Sequence, residues 1–396
     1  MLCITINETK AQGKKDTMKL KDAIKSIGKA TGAVASNQTD LTKITDWLST
    51  GSYAINRCIT GDIYKGFPQG RISIVYGESQ SGKSLIVANT VIEALKNNKV
   101  DIVYYLDSEG GGLWDYFDAH GVDRSKIEYI AVADVEECKK ALINIYDTLD
   151  TAKKDYLKDP DNNDDIRALV VLDSFGALST QKSLTDIVDK DKVVADMGSS
   201  ARAKNDMMAL VMMRVVRTNC AFLVINHTYD NPGAMYQSKY KDMPGGKKLQ
   251  YSAHVMLQTN KKLIKSVDND FISASESDDA DRGYVKGNLF RFFCTKNRVS
   301  KPGFECEVYI DFDNGIGKWE GLIEPAINYG FIESVRGGYV VKSYSDKKIT
   351  HRELISNDEI WNTFLDEFNK KSIEKLSYSN ETSRELDKIE EELDEK

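Results

Sequence analysis

The eight residues Gly77-Glu78-Ser79-Gln80-Ser81-Gly82-Lys83-Ser84 constrain the fold of this chain more than any other segment. They fit the pattern GxxxxGK[ST] and lie between an apolar run at 72–76 and a helical stretch at 83–97. The glycines let backbone N–H groups converge on an anion, and the N-terminus of the following helix adds partial positive charge. In this reading residues 77–84 cradle the phosphates of ATP. Lys83 reaches the β- and γ-phosphates, and the Ser84 hydroxyl ligates Mg2+. A strand–loop–helix unit of this kind needs a parallel sheet beside it.

The rest of the chain supplies one. Apolar runs at 72–76, 102–106, 168–172, 220–225, 254–258, 289–294 and 306–312 read as strands. Several are apolar on both faces, as strands of a buried parallel sheet are. Helical patterns at 83–97, 136–149 and about 206–218 alternate with the first of them, which predicts an α/β, doubly wound, mostly parallel sheet. Polar stretches at 153–165 and 266–282 read as exposed loops. Ligands bind such sheets at the carboxyl ends of the strands. Asp107 and Glu109 stand at one end, Asp173 at another, Asn226 and His227 at a third. The run ALVVLD fits a Walker B strand, with Asp173 reaching Mg2+ through a water, and Glu109 is the candidate that orients or deprotonates an attacking water. Any one of these residues alone fits a strand-terminal turn, His227 most readily. Three such ends beside a phosphate loop favour a site.

Composition excludes little. The chain has 396 residues, 41% hydrophobic and 29% charged, as in an ordinary globular protein. No apolar run is long enough to span a membrane. The six cysteines have neither metal nor CxxC spacing, and the first residues lack the order of a secretory leader. A cytoplasmic location is expected. The net charge of −7 does not exclude nucleic acid, because the sign is segregated. Residues 1–30 hold seven lysines against three acids, and residues 381–396 hold eight acids against three bases. Leu20, Ile24 and Ile27 form a narrow apolar stripe in the basic arm. It is too short to fold alone, so it docks on its own core or on a neighbouring subunit.

The segment LSTGSYAINRCITGDIYKGFPQGRISIVYGESQSGKS resembles the opening of the ATPase core of the RecA superfamily of DNA strand-exchange recombinases. The blocks YYLDSEGGGLWDYFDAHGVD, LVVLDSFGALS, DMGSSARAKNDMM and FLVINHTYD follow in that family's order. The resemblance covers about residues 48–330, and INHTY and DSFGALS are close to phage members of the family. It implies a RecA-type P-loop core at 48–330, with an N-terminal polymerisation arm at 1–47. A small C-terminal region at 331–396 is expected to end in an acidic tail, solvated or disordered from about Asp366.

The resemblance also implies roles. Glu109 is similar to the water-activating glutamate and Tyr116 to the tyrosine that stacks on adenine. His227 matches a γ-phosphate sensor that is glutamine in bacterial members and histidine in phage ones. Lys296 and Arg298 are similar to a pair that reaches the neighbouring subunit's nucleotide, although KNR also fits a solvated loop. DNA would be held by loops at about 179–197, running into Arg202, and at 228–250. The second carries Tyr236, Lys239, Lys241, the glycines Gly245 and Gly246, and Lys247 and Lys248. Stacking rings and cations suit a stripped strand, yet a lysine–aromatic loop can also be merely exposed. Ala209 stands where bacterial members carry a further arginine. The implied protein is a DNA-dependent ATPase that forms helical filaments on single-stranded DNA and exchanges strands with homologous duplex DNA. Single-strand-binding and mediator proteins would be its further partners. A hexameric helicase of the same fold is the alternative, and a non-catalytic mediator or a small-molecule kinase fits less well.

Overall fold

The computed structural model describes residues 43–156, 158, 165–183, 185, 197–229, 241, 243–262, 287–311 and 315–378. Its strands in chain order are β1 (Trp47–Leu48), β2 (Phe67–Pro68), β3 (Ile72–Gly77), β4 (Ile102–Asp107), β5 (Ile127–Ala131), β6 (Ala168–Asp173) and β7 (Ala221–His227). They continue with β8 (Val255–Lys262), β9 (Gly287–Asn297), β10 (Glu305–Asp311), β11 (Gly315–Ile316), β12 (Glu333–Val335), β13 (Gly338–Val341) and β14 (Ser345–Ile349). The helices are α1 (Tyr53–Thr60), α2 (Lys83–Lys96), α3 (Trp114–Ala119), α4 (Val135–Tyr156) and α5 (Met197–Thr218). After them come α6 (Lys247–Ser252), α7 (Ile323–Asn328), α8 (His351–Ser356), α9 (Asp358–Asn362) and α10 (Leu365–Leu376).

The central sheet has nine strands in the order β11-β10-β9-β8-β3-β7-β6-β4-β5. From β8 to β5 every pairing is parallel, and β9, β10 and β11 extend the β8 edge antiparallel. Alternate residues feed two cores. Ile72, Ile74, Val170, Leu172, Phe222 and Val224 face α4 and α5 in one cluster. Val75, Leu169, Val171, Leu223 and Ile225 join α1, α2 and the C-terminal elements in the other. This two-sided burial explains the continuous apolar runs. Register aligns the carboxyl ends: Gly77 pairs with His227 and Thr259, and Asp107 pairs with Asp173.

Several boundaries differ from the sequence reading. The helix expected at 136–149 runs to Tyr156, so the start of the predicted 153–165 loop is helical. Its Lys153 is buried and holds Asp165 at 2.7 Å. The helix expected from about 206 begins at Met197. Strand β5 was not predicted, because an edge strand with Glu128 and Tyr129 outward lacks a two-sided apolar run. The largest difference is C-terminal. Residues 366–376 are not a solvated helix: α10 buries Leu365, Phe368, Ser372 and Leu376. Phe368 and Trp361 belong to the same core as α2, and Trp361 stacks on Trp319 with ring centroids 4.8 Å apart. Side-chain caps by Thr350 and Asn357 start α8 and α9. The stripe at Leu20, Ile24 and Ile27, the stretch 266–282 and the tail 379–396 lie outside the described residues. The described residues from Asp46 onward form one compact unit.

Candidate functional site

The phosphate loop joins β3 to α2. Gly82 takes φ +83°, and a Cβ on Gly77 would lie 2.2 Å from the Thr259 carbonyl oxygen, so neither position tolerates a side chain. The Ser81 hydroxyl contacts the Glu78 carbonyl and the Thr259 hydroxyl, each at 2.7 Å, and fixes the turn. Ser79 and Gln80 complete its exposed crest, with Gln80 at φ +58°. Ser49-Thr50-Gly51-Ser52 braces the helix from behind. Asn56 links Thr50 to Ser49, and Asn89 of α2 donates to the Thr50 carbonyl at 2.7 Å.

Lys83 is buried and donates to the Glu78 carbonyl at 2.6 Å. Burial pushes its ammonium below the usual lysine range, against the pull of Asp173 and Glu109. Ser84 donates to Asp173 Oδ2 at 3.1 Å, and Tyr105 donates to the same oxygen at 3.1 Å. Burial raises the Asp173 carboxyl above its ordinary range, with those two hydrogen bonds opposing. A hydroxyl and a carboxylate converging at the mouth of the loop form the hard-oxygen donor set that Mg2+ takes. The residues present therefore fit a magnesium triphosphate.

Asp107 at the end of β4 accepts from the backbone N–H of Glu109 at 2.9 Å and of Gly110 at 2.8 Å, turning Glu109 back across the sheet. There one Glu109 oxygen meets the Ser174 hydroxyl at 2.5 Å and His227 Nε2 at 2.8 Å. Burial opposes ionisation of Glu109 most strongly, but the bonds from Ser174 and His227, with the charges of His227 and Lys83, outweigh it. Its carboxyl is held below the ordinary range. Three strand ends thus meet on one carboxylate. Ser174 went unnoticed in the sequence, and its place directly after Asp173 at the end of an apolar strand was the available signal.

The second loop is tied to this site at both ends. Thr228 N–H donates to the Gly77 carbonyl at 3.1 Å, and Asn226 donates to the Pro244 carbonyl at 2.9 Å. Lys241 pairs with Glu78 of the phosphate loop, and its N–H donates to Gln258 at 3.3 Å. Gly245 and Gly246 both have positive φ, +105° and +79°. Lys247 and Lys248 are exposed at the start of α6, and Arg202 is exposed on α5. Tyr236 and Lys239 lie outside the described residues.

Tyr116 sits on α3 with its ring 4.1 Å from that of His120, next to Gly315, the first residue of β11. Its hydroxyl is buried with no hydrogen-bond partner among the described residues. A cavity of about 300 Å³ beside the phosphate loop is lined by Gln80, Gly82, Leu85, Lys261, Asn288 and Phe290. Lys296 and Arg298 are elsewhere. Lys296 pairs in register with Met256, which pairs with Ile74. That is three residues short of Gly77, or about 10 Å at the strand rise. Lys296 donates to the carbonyls of Gln250 and Tyr251 at 2.5 and 3.2 Å, and Arg298 to that of Tyr251 at 2.9 Å. Burial and the neighbouring Arg298 bring the Lys296 ammonium to about 8. The pair therefore lies away from the phosphate loop of the same chain.

The RecA N-terminal domain family matches residues 18–317. The recombination and repair protein of Enterobacteria phage T4, UvsX, is 24% identical over 316 residues, spanning 80% of this chain and 72% of that protein. Protein RecA of Mycoplasmopsis pulmonis is 25% identical over 342 residues, 84% of this chain and 87% of that one. Protein RecA of Paracoccus denitrificans is 28% identical over 302 residues, 76% and 72% of the two chains. A solved structure of the RadB recombinase aligns with a TM-score of 0.42 at 18% identity, covering 68% of this chain and 98% of that one. The family match spans the phosphate loop, the Glu109–Ser174–His227 cluster and both loop glycines, and the chain belongs to the RecA family.

Proposed function

We propose that this protein is an ATP-dependent recombinase that assembles as a helical filament on single-stranded DNA, pairs it with homologous duplex and exchanges strands. The observation that carries this reading is the hydrogen bond between Glu109 and His227 at 2.8 Å, because His227 is followed directly by the loop at 228–250. Lys83 and the loop N–H groups bind the triphosphate, and Glu109, held as a carboxylate, takes a proton from the attacking water. Mg2+, held through Ser84 and Asp173, would neutralise charge on the phosphates. His227 shares an oxygen of Glu109 with Ser174, so a change at the γ-phosphate reorients it and with it the start of the second loop. Lys296 and Arg298, remote from the phosphate loop of the same chain, would complete a neighbour's site, which would make ATP a ligand of the assembled form and a stabiliser of the filament. Tyr116 would hold the base. The acidic tail would compete with DNA and dock basic partners, single-strand-binding and mediator proteins among them.

The hexameric helicase reading is not favoured. The Ser49–Ser52 turn buttressing α2 and the match to RecA proteins over most of the chain both accord with a recombinase. Negative-stain microscopy on single-stranded DNA with ATP separates the two. Helical filaments together with joint-molecule formation on homologous duplex are expected; closed rings without joint molecules would overturn the proposal. Affinity for single strands should fall with log salt at about −0.7 per phosphate neutralised.

A further inference from the structure

Phe175 and Gly176 directly follow Asp173 and Ser174, and the parts of the molecule expected to touch DNA meet on them. A Cβ on Gly245 would lie 2.3 Å from Phe175 Cε1, so the base of the second loop is packed flat on that ring. A Cβ on Gly176 would lie 2.8 Å from Asn226 Oδ1 and 3.2 Å from Pro244. From the other side comes Lys204 of α5, 4% exposed. Its Nζ donates to the Gly176 carbonyl at 3.2 Å and stands 5.4 Å from the centre of the Phe175 ring. An ammonium buried against one carbonyl and one ring face is costly, and methionine would fill the same space without that cost. The helix that carries Lys204 also carries Arg202, next to the segment expected to touch DNA.

We infer that Lys204 is a positioning residue that couples DNA engagement along α5 to Phe175–Gly176, and through Ser174 to Glu109. The path is continuous: Arg202 and Lys204 share one helix, Lys204 holds Gly176, and Ser174 holds Glu109 at 2.5 Å. It rests on the reading that α5 and the second loop contact DNA. Burial brings the Lys204 ammonium down to about 8. Among the described residues the titratable group acting on it is the Cys138 thiol of α4, which burial, with the charge of Asp134, pushes up to about 12. Lys204 is therefore charged below about pH 8; above it the side chain loses the cation–π contact and the charge that strengthens its hydrogen bond to the carbonyl.

The test is the ratio of ATP turnover with single-stranded DNA to turnover without it, measured on the full chain from pH 6.5 to 9.5. Lys204→Met should lower the ratio roughly tenfold at pH 7, as loss of a charged hydrogen bond and a buried cation–π contact would, while Lys204→Arg retains it. Lys296 titrates in the same range but is shared by wild type and Lys204→Arg, so the alkaline limb is compared between those two. A larger fall near pH 8 in wild type than in Lys204→Arg is expected. A wild-type ratio in Lys204→Met, or identical alkaline limbs in wild type and Lys204→Arg, would overturn the coupling role. Wild-type protein whose turnover ignores DNA at every pH would instead overturn the functional reading beneath it.

Discussion

Glu109 shows how much one carboxylate depends on partners drawn from other strands. Its position two residues past β4 is a matter of sequence, but its ionisation is set by Ser174 after β6 and His227 at the end of β7. Glu109→Gln should reduce DNA-dependent ATP turnover by about 10²–10⁴-fold, the range of a general base. Ser174→Ala should behave differently. Burial would then be less opposed and the carboxyl would ionise at higher pH. A depressed acid is active above its pKa and silenced as pH falls through it, so the acid limb of the rate profile should move to higher pH. Rate profiles from pH 4.5 to 8 check both variants; an unmoved limb in Ser174→Ala would show that this hydroxyl does not hold Glu109 ionised.

At the scale of elements, α10 is the clearest case of a helix whose role depends on its setting. Its sequence carries enough charge to read as a solvated tail, yet Phe368 is fully buried against Phe331 and Tyr329. Phe368→Ala should cost about 3–5 kcal/mol of stability. Because α10 shares its core with α2, denaturant unfolding followed by tryptophan fluorescence and by loss of nucleotide binding should shift together. Separate transitions would show that the C-terminal elements unfold independently. The strands buried on both faces were legible as apolar runs, since period-two alternation between two apolar cores erases polarity altogether. Strand β5 and the short strands β12, β13 and β14 were not, because edge and small-sheet positions leave outward residues polar.

For the whole molecule the decisive feature is the separation of Lys296 and Arg298 from their own phosphate loop. Lys83→Ala and Arg298→Ala should each abolish DNA-dependent turnover. If the pair acts across a head-to-tail interface, an equimolar mixture should recover activity. One protomer then supplies the intact loop and its neighbour the intact arginine, at about a quarter of interfaces under random assembly. An inactive mixture that still forms filaments would place the arginine in the same protomer's chemistry.

What local order alone could establish was the phosphate loop and the alternation around it. Glycine, lysine and serine at fixed spacing specify a backbone turn that needs no distant partner, and a run of apolar residues ending in aspartate specifies a buried strand end. Tertiary structure decided the rest. Whether Glu109 is ionised, whether α10 is core or tail, and which carbonyls Lys204 and Lys296 hold all depend on groups far away in the chain. Charge and burial are properties of a surrounding, and only the folded sheet brings that surrounding together.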